Sequence, residues 1–273
     1  MYNTNVIILL GFHRSGTSFV SSWLEAMGIS MGNEKLGANV GNDFGHYEDM
    51  DFLRFHESVL KKRKLNCLEI PLNFKLLLNS SELLEFQALI NEKKEYQGLW
   101  GWKEPRTCLF INEYKDLVIG SNSLVVYRSF LDSVDSLIRR RKISEPKRRN
   151  KILAFWNKKR LLSGEGLNRL ANKYLESWIV YNERILKYYD SLDYKNNVVF
   201  INPVDLTKPE KTKKIFHKIC FSFQKDLKFI EPSTLFKKDA FKRYDSSMTI
   251  YKFHPHLEKR ASQIESRFFQ LLS

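Results

Sequence analysis

The chain has 273 residues, an apolar content of 43% and a formal net charge of +14. These values exclude a disordered, collagen-like or repetitive chain, and the length allows a core that needs no disulfide or metal to hold it. The charge favours polyanionic partners: nucleic acid, an acidic membrane face, acidic glycans or a phosphate-rich small molecule.

In chain order, Val6–Leu10 is a continuous apolar run closed by Gly11, the pattern of a buried parallel strand. Ser18 to Met27 follows with apolar residues at helical spacing, and Gly28 is placed to end that helix. Gly32 to Gly45 reads as a loop. Met50 to Leu60 and Ser80 to Glu95 read as amphipathic helices, and Trp100 to Pro105 is a short aromatic and charged segment that ends in a proline. A second buried strand is expected at Ser123–Tyr127, a helix at Phe130 to Arg140, a long helix at Leu170 to Tyr189, a third strand at Asn197–Ile201 and a helix at Lys208 to Phe221. The tail from residue 233 is basic and weakly patterned, an extension that either packs or stays loose. Strands alternating with helices predict one α/β domain spanning residues 1–273, with a central parallel sheet flanked by helices. Ligands in such sheets sit beyond the C-terminal strand ends, where the loop after Leu10, Arg128 and Asn202 all fall.

Three scattered cysteines, Cys67, Cys108 and Cys220, form neither a disulfide framework nor a CxxC metal pair and read as small buried hydrophobes in a reducing compartment. The first apolar run is too short for the core of a signal peptide, and no later run reaches the ~18 apolar residues of a membrane span. The expected location is the cytoplasm. Between Arg139 and Arg160 there are eleven Lys or Arg and one acid, Glu145. That stretch is either a solvated connection or a face for an anionic acceptor or the inner membrane surface; no specific nucleic acid is expected.

Gly11-Phe-His-Arg-Ser-Gly-Thr-Ser18 has the frame of a phosphate-binding loop. Its glycines let backbone N–H groups turn around an anion, and the following helix adds its positive end. A nucleotide triphosphatase loop would carry Lys where this chain has Thr17, and an Asp after a neighbouring strand to help hold Mg²⁺. Here the charge is moved to Arg14 and none of the three expected strands ends in Asp. The loop therefore suits an anion with less charge than a triphosphate, and no metal is expected.

With these residues the chain resembles the superfamily of sulfotransferases that use 3′-phosphoadenosine 5′-phosphosulfate (PAPS), and within it the bacterial and Golgi-type carbohydrate branches. Phe12–Ser18 is similar to the loop that holds the 5′-phosphosulfate. Val126-Tyr-Arg128 through Ser136 is similar to the 3′-phosphate motif, an Arg and a Ser eight residues apart. Gly45-His-Tyr-Glu48-Asp and Trp100-Gly-Trp-Lys103-Glu-Pro-Arg-Thr107 are similar to segments of the bacterial branch. These segments cover the first half of the chain; the second half resembles the family only in its order of helices and a strand.

The resemblance implies a P-loop-like sulfotransferase fold with PAPS as donor and the bisphosphate PAP as product. Arg14, Ser15, Gly16, Thr17, Ser18, Arg128 and Ser136 would contact the donor. The acceptor would be a hydroxyl on a saccharide or glycolipid. The Arg128 fork suits a phosphate, and Asp132 is the expected N-cap of the following helix. Two features depart from the family pattern: Phe130 stands where Pro is usual, and there is no late Gly-rich basic motif, for which Arg139 to Lys142 are a substitute.

In-line sulfuryl transfer needs a group to take the acceptor proton and cations to stabilise the developing charge. Glu48 is the expected base, with His46, Asp49 and Asp51 as competitors. Arg14 and Lys103 are the expected cations, with Arg106 a third. Phe19, Trp178 and Tyr181 are aromatic surfaces for adenine unless they belong to the core. Two other readings stay open: a nucleotide kinase with an altered loop, and a non-catalytic polyanion binder.

Overall fold

The structure is a computed structural model that describes residues 5–32, 48–96, 98–144, 164–235 and 251–272. His46 and residues 145–160 of the basic stretch lie outside the described residues. The elements are β1 (Val6–Leu10), α1 (Thr17–Ala26), α2 (Met50–Lys62), α3 (Ser80–Lys94), β2 (Trp100–Lys103), α4 (Thr107–Tyr114), β3 (Asn122–Val126), α5 (Phe130–Ser144), α6 (Gly164–Asp190), β4 (Val198–Ile201), α7 (Pro209–Phe223) and α8 (Pro255–Leu272).

The four strands form one parallel sheet in the order β2-β1-β3-β4. Alternate side chains of a strand point to opposite faces, and both faces here are covered, so the strands are apolar throughout. Ile7 and Leu9 face a cluster built by α1 and α7, including Trp23, Leu24, Phe216 and Ile219. Val6, Ile8 and Leu10 face the larger cluster, which gathers α2 through α6 and α8. Among the described residues no helix is long and apolar enough to cross a membrane.

Trp100–Lys103, an aromatic and charged segment whose sequence assigns it to no element, is the edge strand β2. Gly101 and Lys103 interrupt its apolar character. The glycine is required there: a Cβ would lie 2.1 Å from the carbonyl oxygen of Ile7 on the paired strand. The charge of Lys103 is used at the strand's end, beside the loop that follows β1.

The cap of α5 also differs from expectation. Ser129, not Asp132, caps this helix: its Oγ accepts from the Asp132 N–H at 3.1 Å. Asp132 lies in the first turn, and its carboxylate stands 3.8 Å from Arg128 Nε. At the end of α1, Gly28 (φ 94°) closes the helix as expected, with its N–H on the Glu25 carbonyl and the Ile29 N–H on Leu24. Of the tail, residues 233–235 and 251–272 are described. Its last helix, α8, buries Leu257, Ala261, Ile264 and Phe268 in the larger cluster.

Candidate active site

Beyond Leu10 the chain enters the glycine-bounded loop. A Cβ on Gly11 would lie 2.7 Å from both Thr17 Cγ2 and the Val126 carbonyl oxygen, and 2.8 Å from Ser15 Oγ. Only glycine lets the loop fold this tightly against the end of β3. The Gly11 N–H donates to Cys108 Sγ at 3.2 Å, so this cysteine is a buried partner of the loop as well as a core residue. Arg14 (φ 67°) and Gly16 (φ 98°) are both left-handed. For an arginine that conformation costs about 1 kcal/mol, and such strain collects at binding loops. No side chain caps α1 at Gly16. Ser15 Oγ is buried with no hydrogen-bond partner among the described residues. A bent backbone, an uncapped helix start and a partnerless buried hydroxyl fit the cradle of an anion.

Arg128, at the end of β3, reaches back to this loop. Its NH1 donates to the Arg14 carbonyl at 3.0 Å, while Arg14 Nε donates to Ser136 Oγ at 3.1 Å. Three of the expected donor-binding residues, far apart in sequence, thus interlock. Burial, then Arg140, Arg128 and Arg139, pushes the Arg14 guanidinium down to about 10. Arg128 is also lowered, chiefly by burial; Asp132 opposes this and Arg139 adds to it. A dianion placed among these guanidinium groups would relieve both effects.

A second cluster stands beyond β2. Lys103 Nζ lies 3.1 Å from Glu48 Oε1, and Arg106 NH1 is 4.0 Å from Glu48 Oε2. Burial lowers the Lys103 ammonium, with Glu48 opposing. Behind them Arg106 binds Glu104 and Glu57, and Glu104 accepts from His56 Nδ1 at 2.6 Å. His56 Nε2 is 3.3 Å from the Tyr114 hydroxyl. Glu104 is fully buried. Its carboxyl is nonetheless held down to about 2, because Arg106 and the His56 hydrogen bond outweigh the desolvation that pushes it up. Asp49, a competitor for the base, is committed to capping α2 and to Lys93, and Asp51 to Lys93 and Arg54.

His13 stands between the two clusters. Its ring nitrogen Nε2 is 3.3 Å from the Tyr181 hydroxyl, which donates to the Cys67 carbonyl at 3.0 Å. Burial, then Arg106, holds the imidazole well below its ordinary value; Glu104 opposes, and Lys103 and Arg140 add smaller repulsions. Arg14 turns toward Ser136 and Arg128, whereas Glu48 and Lys103 pair on the β2 side.

No family model matches the chain, and no curated protein matches it. Solved structures do. A sulfotransferase domain from the curacin biosynthetic pathway superposes with a TM-score of 0.52 at 14% identity, over 97% of this chain and 99% of that one. A sulfotransferase domain from the Synechococcus PCC 7002 olefin synthase gives 0.51 at 14% identity, over 100% of this chain and 94% of that one. This chain has the sulfotransferase fold. The superposition covers the second half of the chain as well as the first, in keeping with the order of helices and a strand there.

Within the sulfotransferase fold, several groups at this site went unread in the sequence: His13, His56 and Glu104. His56 had a signal. It shares the buried face of α2 with Phe52, Phe55 and Val59, and a polar ring on an apolar face needs a buried partner. Trp178 and Tyr181 are fully buried and belong to the core rather than to an open adenine surface. Asn202 caps the turn after β4 by accepting from the Val204 N–H.

Proposed function

We propose that this protein transfers a sulfuryl group from PAPS to an acceptor hydroxyl. The observation that carries this reading is the interlock of Arg14, Arg128 and Ser136 beside the partnerless Ser15 hydroxyl. This arrangement supports a reading with two adjacent anion positions, one in the loop after β1 and one after β3. PAPS, once bound, supplies the sulfuryl group and a leaving phosphate. The loop Arg14–Ser18 would hold the 5′ side, with Gly16 leaving the start of α1 uncapped toward it. Arg128 and Ser136 would hold the 3′-phosphate.

Glu48 takes the acceptor proton. Its Oε1 is engaged by Lys103, while Oε2 stands 4.0 Å from Arg106, too far for a hydrogen bond, and has lone pairs for a hydroxyl. The acceptor oxygen forms its bond to sulfur as the bond from sulfur to the phosphate oxygen breaks. Lys103 and Arg14 offset the negative charge that grows on the departing side. The motifs of the first half favour a saccharide or glycolipid as acceptor, and the basic stretch from Arg139 suits an anionic one.

Thermal unfolding with PAP, and separately with ADP and Mg²⁺, tests this reading. A ligand at about 100 times its dissociation constant adds about 2.7 kcal/mol, worth several degrees in a domain of this size. PAP is expected to raise the midpoint by that amount and ADP with Mg²⁺ by less. No rise with millimolar PAP would overturn the reading.

A further inference from the structure

The strand-to-helix turn that carries Arg128 is held from the far end of the chain. Glu265, on α8, places one carboxylate oxygen against both sides of that turn. Oε1 accepts from the Tyr127 hydroxyl at 2.7 Å and from the Phe130 N–H at 3.0 Å. The Phe130 N–H is the first of α5, one of the donors a helix start leaves unmet. Residues 127 and 130 are therefore tied to a single atom, with Arg128 and Ser129 between them. The Arg128 carbonyl accepts from Trp178 Nε1 at 3.3 Å, and the Tyr127 N–H continues the sheet by donating to Ile201 at 2.9 Å. The backbone around Arg128 has little freedom left.

Helix α8 is itself seated firmly. Phe268 stacks on the Tyr127 ring at 4.6 Å, and Arg260 makes a two-pronged contact with Glu183 on α6. Glu265 is half-buried, so removing it would leave two donors that solvent reaches only in part.

We infer that Glu265 is a positioning residue for donor recognition: by pinning Tyr127 and Phe130 it aims Arg128 at the 3′-phosphate, so that selection of the donor depends on the last helix of the chain. The inference rests on the reading of Arg128 proposed above. Tyr127 and Asp132 are the titratable groups that act on the carboxylate. Burial raises it, the two hydrogen bonds lower it, and Asp132 raises it further. The effect on binding should appear only for ligands that reach Arg128.

Calorimetric titration of the full-length protein with PAP and with AMP, which lacks the 3′-phosphate, separates positioning from general loosening. Glu265→Ala should weaken PAP about tenfold, the scale of a lost hydrogen-bonded charge, and leave AMP unchanged. Glu265→Gln keeps an oxygen at the turn and should fall between the wild type and the alanine variant. In an Arg128→Gln background, Glu265→Ala should have no further effect on PAP. Equal weakening of PAP and AMP, or additive losses with Arg128→Gln, would overturn the inference. So would an unchanged PAP affinity in Glu265→Ala while the wild type still prefers PAP to AMP, an outcome that leaves the donor reading intact. A wild type that does not bind PAP would remove the donor reading and this inference with it.

Discussion

Replacing Arg14 by Gln should make the protein more stable while weakening its response to the donor product. In the fold this guanidinium is lowered well below its ordinary value, to about 10, by burial and by three neighbouring arginines. A depression of that size corresponds to about 3 kcal/mol of unfavourable free energy for the charged form. The sign follows from linkage. The folded state binds this proton less tightly than the unfolded state does, so the cost is fully present below about pH 10 and shrinks only as pH rises from there toward the ordinary arginine value. At neutral pH it is undiminished. The Gln variant also loses the hydrogen bond to Ser136, which offsets part of the gain, leaving a net stabilisation of about 1–2 kcal/mol. Urea unfolding followed by the fluorescence of the five tryptophans, at pH 7.5 with and without PAP, reads both quantities. The expected result is a higher midpoint without ligand and a smaller increment with PAP. A lower midpoint combined with a full PAP increment would refute the reasoning, because Arg14 would then be an ordinary structural arginine.

Three other expectations follow from the same contacts. Gly11→Ala places a Cβ within 2.8 Å of three atoms, one of them the Val126 carbonyl oxygen. It should cost about 1–3 kcal/mol in a thermal melt and sharply reduce PAP binding; normal binding would show that the loop is looser than described. Glu48→Gln should leave PAP affinity within a few-fold of wild type and cut turnover about 10²-fold or more in a transfer assay; retained turnover would reassign the base, with His46 and His13 next in line. In acid the buried Glu104, held down to about 2 against an ordinary 4.5, contributes stability that is present above pH 4.5 and lost as pH falls toward 2. His56, lowered mainly by burial, adds its own loss as pH drops below 6.5. A Glu104→Gln, His56→Gln double variant should therefore be less stable at pH 7 and show a flatter fall between pH 7 and 3 in urea unfolding; an unchanged slope would contradict the buried-pair account.

The loop after β1 could be read in the sequence because its chemistry is local: two glycines, an arginine and three hydroxyls lie within eight residues, after a strand that apolar character alone reveals. Arg128 and Ser136 stand out for a similar reason, an arginine closing an apolar run and a serine eight residues on in the following helix. Trp100–Lys103 was missed as a strand because it is short, and because the residues that make it useful, Gly101 for close approach and Lys103 for charge, are those that spoil a strand's apolar signature. Ser129 and Asp132 are both residue types that cap a helix, and only the hydrogen bond from the Asp132 N–H to Ser129 Oγ tells them apart. The partnerships that brace the site were out of reach for another reason. His56 meets Glu104 across 48 positions, and Phe130 meets Glu265 across 135. No periodicity or spacing links such pairs; only the packing of α2 on β2 and of α8 over β3 brings them together.

The account turns on two anion positions held by Arg14 and Arg128, and calorimetric titration of the wild type with PAP and AMP measures that most directly. PAP is predicted to bind at least about tenfold more tightly than AMP, as a charge-assisted contact to a second phosphate requires, with the difference abolished in Arg128→Gln. Equal affinities for the two nucleotides, or a preference for PAP that survives the loss of Arg128, would contradict it.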